Sequence, residues 1–297
     1  MREVKYLLNA ARPEEWYKNI LLFVAITFSA NISNVSMWLT VILAFVFFCM
    51  LSGGEYIIND VLDRQRDRAH PVKCKRPIAS GELSVSHALV VAILLIVLAL
   101  LGAYLAVSIR FLIISASYVV LVLLYSFILK HLVIIDVLTI SAGFVIRAVA
   151  GALAINVSVS TWLIVCVFLL ALFLALAKRR QELVILSEEA EEHRKILQSY
   201  STEMLDQMIV IDLGALIISY SLYTGLAGNN YMMLTIPFAI YGLFRYLFLI
   251  HAKNFGEKTE MIFKDKGIRI CLLLWILLVL LILYDVPSTV IMLLGGV

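Results

Sequence analysis

The fold is decided by stretches such as Ala88–Ile109, ALVVAILLIVLALLGAYLAVSI, which contains no charged side chain. About 20 apolar residues in a helix that rises 1.5 Å per residue match a hydrocarbon core about 30 Å thick. Similar charge-free runs follow at Phe111–Leu129 and Asn156–Ala177. Of all 297 residues, 63% are hydrophobic and only 15% are charged, whereas a soluble domain carries about 25% charged residues. The sequence therefore predicts an all-α, polytopic membrane protein.

About nine transmembrane helices are predicted. The first is the weakest, because only Ile20–Ala30 is continuously apolar. Its long polar lead and the spans that follow argue against a cleaved signal peptide, and Trp16 is an aromatic residue suited to the membrane interface. The spans are predicted at 16–36, 37–58, 87–107, 110–129, 132–154, 158–177, 207–227, 231–251 and 268–285.

The positive charges give the orientation. Nearly all of the 24 lysines and arginines lie in the N-terminal segment or in the loops after the second, fourth, sixth and eighth spans. Arg110 falls in an opposite loop, and Arg147 and Arg245 fall within spans. The positive-inside rule makes the charged face cytoplasmic. We therefore expect a cell (inner or plasma) membrane protein with a cytoplasmic N-terminus and an external C-terminus.

Other composition signals are weak. A net charge of +3 gives no reason to expect nucleic acid as a partner. The four cysteines are scattered, and the five histidines include no pair spaced i, i+4. The sequence therefore predicts neither a disulfide framework nor a zinc site.

The loop after the second span is the most informative segment, Asn59–Gly81, NDVLDRQRDRAHPVKCKRPIASG. If the helix continues into it, Asp60, Asp63 and Asp67 share one helix face, since they are spaced i, i+3 and i+7. Three carboxylates on one face repel one another unless a positive charge lies between them. Mg²⁺ fits, because it is usually held by one or two carboxylates together with phosphate oxygens.

The same loop then supplies cations suited to phosphate, Lys73, Lys75 and Arg76. Carboxylates for a metal followed by cations for phosphate indicate a diphosphate site at a membrane surface. The alternative is a solvated loop of mixed charge, whose ion pairs contribute little. Glu55 lies one turn before Asn59, still at membrane depth, where an ionisable residue is a functional candidate by default.

The motif N-D-x-x-D-x-x-x-D, followed by K-x-x-R-P-I-A-S-G, resembles the first aspartate-rich motif of the UbiA superfamily of intramembrane prenyltransferases. The resemblance implies nine spans around a central cavity that faces the cytosol, and a donor that binds as a Mg²⁺–diphosphate complex. It also implies a single transmembrane domain over 1–297, with catalytic cytosolic loops at 59–86 and 178–206.

Further segments are similar to the branch of polyprenyl-phosphate (decaprenyl-phosphate) phosphoribosyltransferases. They are Arg12–Asn19, Tyr125–Asp136, Gly143–Gly151, Lys178–Leu183 and Phe244–Leu247. Members that prenylate aromatic compounds carry a second aspartate-rich motif after span six, whereas this loop opens with three cations. An excess of cations suits a second phosphate-bearing substrate, although the same residues could be only a positive-inside anchor.

The resemblance implies transfer of 5-phosphoribose from phosphoribosyl pyrophosphate to a polyprenyl phosphate, with release of pyrophosphate. Mg²⁺ would be held by Asn59, Asp60, Asp63 and Asp67, and these three aspartates are the predicted catalytic residues. The predicted substrate-binding residues are Lys18, Asn59, Lys73, Arg76, Tyr125, Lys130, Lys178, Arg179, Arg180, Glu182 and Arg245. The expected partners are the two substrates and the membrane, and a homo-oligomer is left open.

Several interpretations remain open in the sequence. Asp136 is expected to act only through its neighbours, and Arg147 is expected to be structural or to snorkel near the outer leaflet. Arg245 could line the cavity or snorkel, and Ser187–Met204 could form a lid on the cytosolic surface. Two other functions compete. One is transfer of a prenyl group from a prenyl diphosphate to an aromatic or quinone-precursor acceptor, and the other is that of a transporter or a non-catalytic scaffold.

Overall fold

A computed structural model of the chain describes residues 2–29, 31–70, 72–186, 199–226, 229–253 and 264–285. Regular structure within these ranges is helical, without a β-strand. The chain divides into two compact units, residues 1–158 and residues 159–297.

The described residues of the first unit form eight α-helices, two short 3₁₀ turns and a long 3₁₀ helix that we call the strap, Pro13–Phe23. Side chains that precede three of these helices cap them, because Asn34, Ser84 and Ser108 accept hydrogen bonds from backbone N–H groups of the first turn. The α-helices are α1 (Arg2–Ala11), α2 (Val24–Phe28), α3 (Val35–Leu62), α4 (Arg64–Ala69), α5 (Pro77–Ser80), α6 (Val85–Ala106), α7 (Ile109–Phe127) and α8 (Ile135–Ala154).

The described part of the second unit contains four long α-helices. A short 3₁₀ helix, Asn230–Thr235, leads directly into the third of them. The α-helices are α9 (Thr161–Leu186), α10 (Thr202–Leu226), α11 (Ile236–Lys253) and α12 (Lys266–Leu283).

Eight helical segments in the described residues are long and apolar enough to cross a membrane. They match the predicted second to ninth spans. The predicted first span differs, because the strap and α2 together end at Phe28. Polar residues then interrupt the apolar run: Asn31 donates to the Ser29 carbonyl, and Asn34 already caps α3.

Helix α6 shows how these segments pack. Its interior face is made of small residues, which allow close helix approach, while large apolar residues such as Val90 and Leu101 are exposed. The opposing glycine on α3 is Gly54, where an added Cβ would lie 2.9 Å from the Ala92 carbonyl oxygen. The fully buried small residues are Ala88, Ala92, Ala99 and Ala103. Small residues inside and large apolar residues outside are expected of a helix that faces lipid.

Candidate active site

The aspartate-rich segment is not one continuous helix. Helix α3 ends at Leu62 and α4 begins at Arg64, with Asp63 between them. The prediction that one helix face carries all three carboxylates is therefore wrong. Like charges on one face repel, and the structure instead pairs each carboxylate with a basic side chain.

Asp60 and Asp67 share Arg76. The Arg76 Nη1 atom donates to Asp67 Oδ2 at 2.6 Å and to Asp60 Oδ1 at 3.1 Å. Both aspartates are almost fully buried. Burial makes such a pair far less exposed to screening by salt than a surface ion pair.

Arg12 is a second partner of Asp60 and was given no role from the sequence. Its guanidinium donates to Asp60 Oδ1 and lies 5.0 Å from the centre of the Tyr56 ring. Arg12 has a positive φ of 49° at the junction of α1 and the strap, a conformation that non-glycine residues seldom adopt. The only signal in the sequence was its place in the Arg12–Asn19 segment.

Lys130 is brought to Asp63 from a distant part of the sequence. Its Nζ atom donates to both carboxylate oxygens of Asp63, at 2.8 and 2.9 Å. Lys130 lies in a 3₁₀ turn between α7 and α8, Leu129–His131. Arg66 approaches the same carboxylate only to 4.0 Å, and its side chain is 70% exposed.

The loop after α4 is folded back so that Arg76 reaches the carboxylates. Arg68 Nε donates to the Ala79 carbonyl at 2.9 Å, and Gly81 ends α5 with a φ of 89°. Ile78 is fully buried and packs in a cluster that includes Ala10 of α1 and Ile57 of α3. Apolar packing of Ile78, two residues after Arg76, thus helps to fix the position of the Arg76 backbone.

The other candidates of the first unit lie in the strap, in the loop after α4 and on α3, α7 and α8. Lys18 pairs with Glu15 within the strap. Lys73 and Tyr125 are half-buried, and Asp136 is fully buried in the first turn of α8. Asn59 is half-buried, and its carbonyl accepts from the Asp63 N–H at 2.9 Å.

The predicted cations of the second unit are at the end of α9. Arg179 is buried and donates to Glu182 at 2.5 Å, one turn along the helix. Arg180 donates to both carboxylate oxygens of Asp206 on α10, at 2.5 and 3.2 Å. Lys178 belongs to the same helical turn. Most of the predicted lid, Ser187–Met204, lies outside the described residues.

Arg245 forms a two-point ion pair with Asp265. Its Nε and Nη2 atoms donate to the two carboxylate oxygens at 3.2 and 2.9 Å. Asp265 also caps α12 by accepting from the Ile268 N–H at 3.0 Å. The hydrogen bond from Arg245, and then that from Ile268, lower the pKa of Asp265 to about 2.

Asp265→Asn is expected to lower the melting temperature at pH 7, because it removes the ion pair while asparagine can still cap the helix. A carboxylate whose pKa is lowered by folding stabilises the fold above its unfolded pKa, and this contribution is lost as the pH falls towards the folded pKa. The difference from wild type should therefore shrink between about pH 4 and pH 2. Thermal unfolding at several pH values measures this, and a difference independent of pH would contradict it.

Arg147 does not snorkel. Its side chain is buried and bonded to Asn19 and Tyr118. The structural interpretation of this residue is therefore correct.

The oxygen donors of the aspartate-rich segment fit a hard divalent cation in their chemistry. Within the described ranges, however, no three His, Cys, Asp or Glu side chains are grouped to hold a metal ion. Asp60, Asp63 and Asp67 are instead bound to arginine or lysine. A metal at these carboxylates would have to displace those cations.

The sequence matches the model of the UbiA prenyltransferase family over residues 20–264. The chain is 31% identical over 291 residues to the decaprenyl-phosphate phosphoribosyltransferase of Corynebacterium glutamicum, covering 95% of this chain and 87% of the relative. It is 32% identical over 290 residues to the enzyme of the same name from Mycolicibacterium smegmatis, covering 92% and 91%.

Solved structures share the fold. A UbiA homolog from Archaeoglobus fulgidus bound to GPP and Mg²⁺ superposes with a TM-score of 0.74 at 20% identity, over 94% of this chain and 99% of that one. The same homolog bound to DMAPP and Mg²⁺ gives a TM-score of 0.73 over 93% and 98%. The family match covers most of the sequence, the relatives are similar almost from end to end, and the apolar helices suit several membrane crossings. The chain is therefore a multi-pass membrane transferase that belongs to the UbiA prenyltransferase family.

Proposed function

We propose that this protein transfers 5-phosphoribose from phosphoribosyl pyrophosphate to a polyprenyl phosphate, in a reaction that depends on Mg²⁺. The bond between the ribose C1 atom and the diphosphate oxygen breaks, a bond from C1 to an acceptor phosphate oxygen forms, and pyrophosphate leaves. The observation that carries the proposal is the alternation of carboxylates and cations formed by Asp60, Asp63, Asp67, Arg12, Arg76 and Lys130.

The formal charges of these three carboxylates and three cations cancel. A bare diphosphate would upset this balance, whereas a diphosphate that arrives with a divalent cation allows an exchange of partners. Asn59, Asp60, Asp63 and Asp67 would hold the Mg²⁺, which neutralises charge on the departing diphosphate. Arg12, Arg76 and Lys130 would then bind the phosphate oxygens, and Arg76 suits this role because its Nη1 atom already donates to two carboxylates.

The acceptor needs little activation. A phosphate is already an anion at neutral pH, so no strong general base is required for its attack on C1. Lys18, Lys73 and Tyr125 are proposed as further ligands of the phosphates. The N-terminus and both charged loops are proposed to face the cytosol at the plasma membrane, where a soluble sugar phosphate meets a lipid acceptor.

The end of α9 supports phosphoribosyl transfer over prenyl transfer. It carries Lys178, Arg179 and Arg180 in succession, where aromatic-prenylating enzymes of the family carry aspartates. Phosphoribosyl pyrophosphate has a 5-phosphate besides its diphosphate, and the lipid acceptor has a phosphate as well. We assign this cationic group, with Glu182 and Arg245, to one of those two phosphates.

Paired assays test the proposal. Purified protein in lipid nanodiscs receives Mg²⁺, labelled phosphoribosyl pyrophosphate and polyprenyl phosphate in one arm. The other arm contains a prenyl diphosphate and an aromatic acceptor. We expect a labelled lipid and stoichiometric pyrophosphate in the first arm only, and loss of both when EDTA is added. Consumption of the prenyl diphosphate without formation of lipid-linked ribose phosphate would refute the assignment.

A further inference from the structure

A buried polar cluster joins the strap to three helices of the first unit. It is centred on Arg147 of α8, about 18 Å along the helix from Ile135 at 1.5 Å per residue. Only 6% of Arg147 is exposed. A guanidinium at that depth in an apolar environment is costly unless its N–H groups are hydrogen-bonded.

The three nitrogens of this guanidinium bond to three different elements. Nε donates to Asn19 Oδ1 of the strap at 2.8 Å, and Nη2 donates to the Tyr118 hydroxyl of α7 at 2.6 Å. Nη1 donates to the Gly143 carbonyl of α8 at 2.9 Å. Ser52 of α3 donates to the same Asn19 oxygen at 3.4 Å. Asn19 is thus the only strap residue held in this cluster by the described side chains.

The strap is a 3₁₀ helix, whose hydrogen bonds have poorer geometry than those of an α-helix. A 3₁₀ helix of 11 residues is unusual, since such helices seldom exceed four residues. It is held close to α8, where a Cβ added at Gly151 would lie 2.0 Å from the Leu22 carbonyl oxygen. Arg12 directly precedes this strap and contacts Asp60. The position of Arg12 therefore depends on how firmly the strap is held.

We propose that Arg147 is a positioning residue: by holding Asn19 it fixes the strap, and the strap presents Arg12 to Asp60. The kinetic consequence rests on the proposed function. The structural consequence does not, and the two can be measured separately.

Hydrogen–deuterium exchange of the full-length protein tests the structural consequence. In Arg147→Met and Asn19→Ala, amides of the strap should exchange at least about five times faster, because local opening of the strap becomes easier. Peptides from α6 serve as the internal reference. Arg110→Met is the matched control, since it removes another arginine–asparagine hydrogen bond, from Arg110 to Asn156 at 3.0 Å.

Equal protection of the strap in wild type and both variants would overturn the proposal. If Arg147→Met also loses protection in α6, the fold as a whole is disturbed. The milder variants Asn19→Ala and Arg147→Lys then decide, because a selective loss in the strap supports the proposal and its absence rejects it.

A double-mutant cycle tests the link to Arg12. Arg12→Met and Arg147→Met should each raise the KM for phosphoribosyl pyrophosphate about tenfold, with a smaller change in kcat. The double variant should be no worse than Arg12→Met, because both changes remove the same contact. If the two increases in KM instead multiply in the double variant, Arg147 acts independently of Arg12, and the proposed link between them is refuted. If wild type does not use this donor, the proposed function fails while the exchange result stands.

Discussion

Asp63→Asn is expected to lower kcat by about 10³-fold or more while the protein stays folded, on the scale seen when a group that stabilises transition-state charge is removed. The substitution removes one proposed metal ligand and the carboxylate that Lys130 contacts through both oxygens. Release of pyrophosphate at saturating substrate is the measurement. Size-exclusion profile and melting temperature report whether the fold is kept.

Glu82→Gln is the matched control for this experiment. Glu82 belongs to the same loop, but it is exposed and bonds Tyr6 and Ser80 outside the aspartate–cation group. It should retain the activity of wild type. Full activity of Asp63→Asn would refute the metal site as proposed.

Arg76→Met is expected to have the second-largest effect, on stability as well as on activity. It leaves Asp67 without the described ion pair and leaves Asp60 with Arg12 alone. Removing one partner of a buried ion pair costs about 3–5 kcal/mol. The melting temperature should fall by several degrees, and the KM for the donor should rise, since Arg76 is a proposed phosphate ligand.

Arg76→Lys and Arg66→Met are the control variants for Arg76→Met. Lysine restores the charge but has a shorter reach and fewer N–H donors than the guanidinium, so it should recover only part of the loss. Arg66 is in the same segment, and its side chain is 70% exposed and 4.0 Å from Asp63. Its removal should therefore change the free energy of unfolding by less than about 1 kcal/mol. An Arg76→Met protein as stable as wild type would show that the buried carboxylates need no such partner.

The spans were predictable because the length of an apolar run is a local property of the sequence. Val85–Ala106 and Ile109–Phe127 reproduce two predicted spans within a few residues. The segment from Trp16 differs from its predicted bounds, because the strap and α2 end at Phe28. Asn19 of the strap accepts a hydrogen bond from Arg147, 128 residues away, a contact that no local pattern predicts.

The candidate site was predictable in its residue types but not in its pairing. The spacing of the aspartates, and the cations that follow them in the same loop, indicate a diphosphate site. The contacts that organise them are long-range: Arg12 and Asp60 are 48 residues apart, and Lys130 and Asp63 are 67 apart. No local pattern could reveal that α3 ends before Asp63, or that the buried carboxylates are neutralised by basic residues.

The sharing of Arg76 between Asp60 and Asp67 has a consequence for selectivity. A free divalent cation that binds these carboxylates must displace the positive side chains paired with them. Those side chains then lie in a low-dielectric environment without an anion to stabilise them. A cation that arrives with a diphosphate brings the anions that the displaced arginines require. Affinity for the two ligands is then linked, and by thermodynamic reciprocity each raises the affinity for the other by the same factor. We therefore expect the proposed site to bind calcium and other free divalent ions weakly, although its motif is rich in carboxylates.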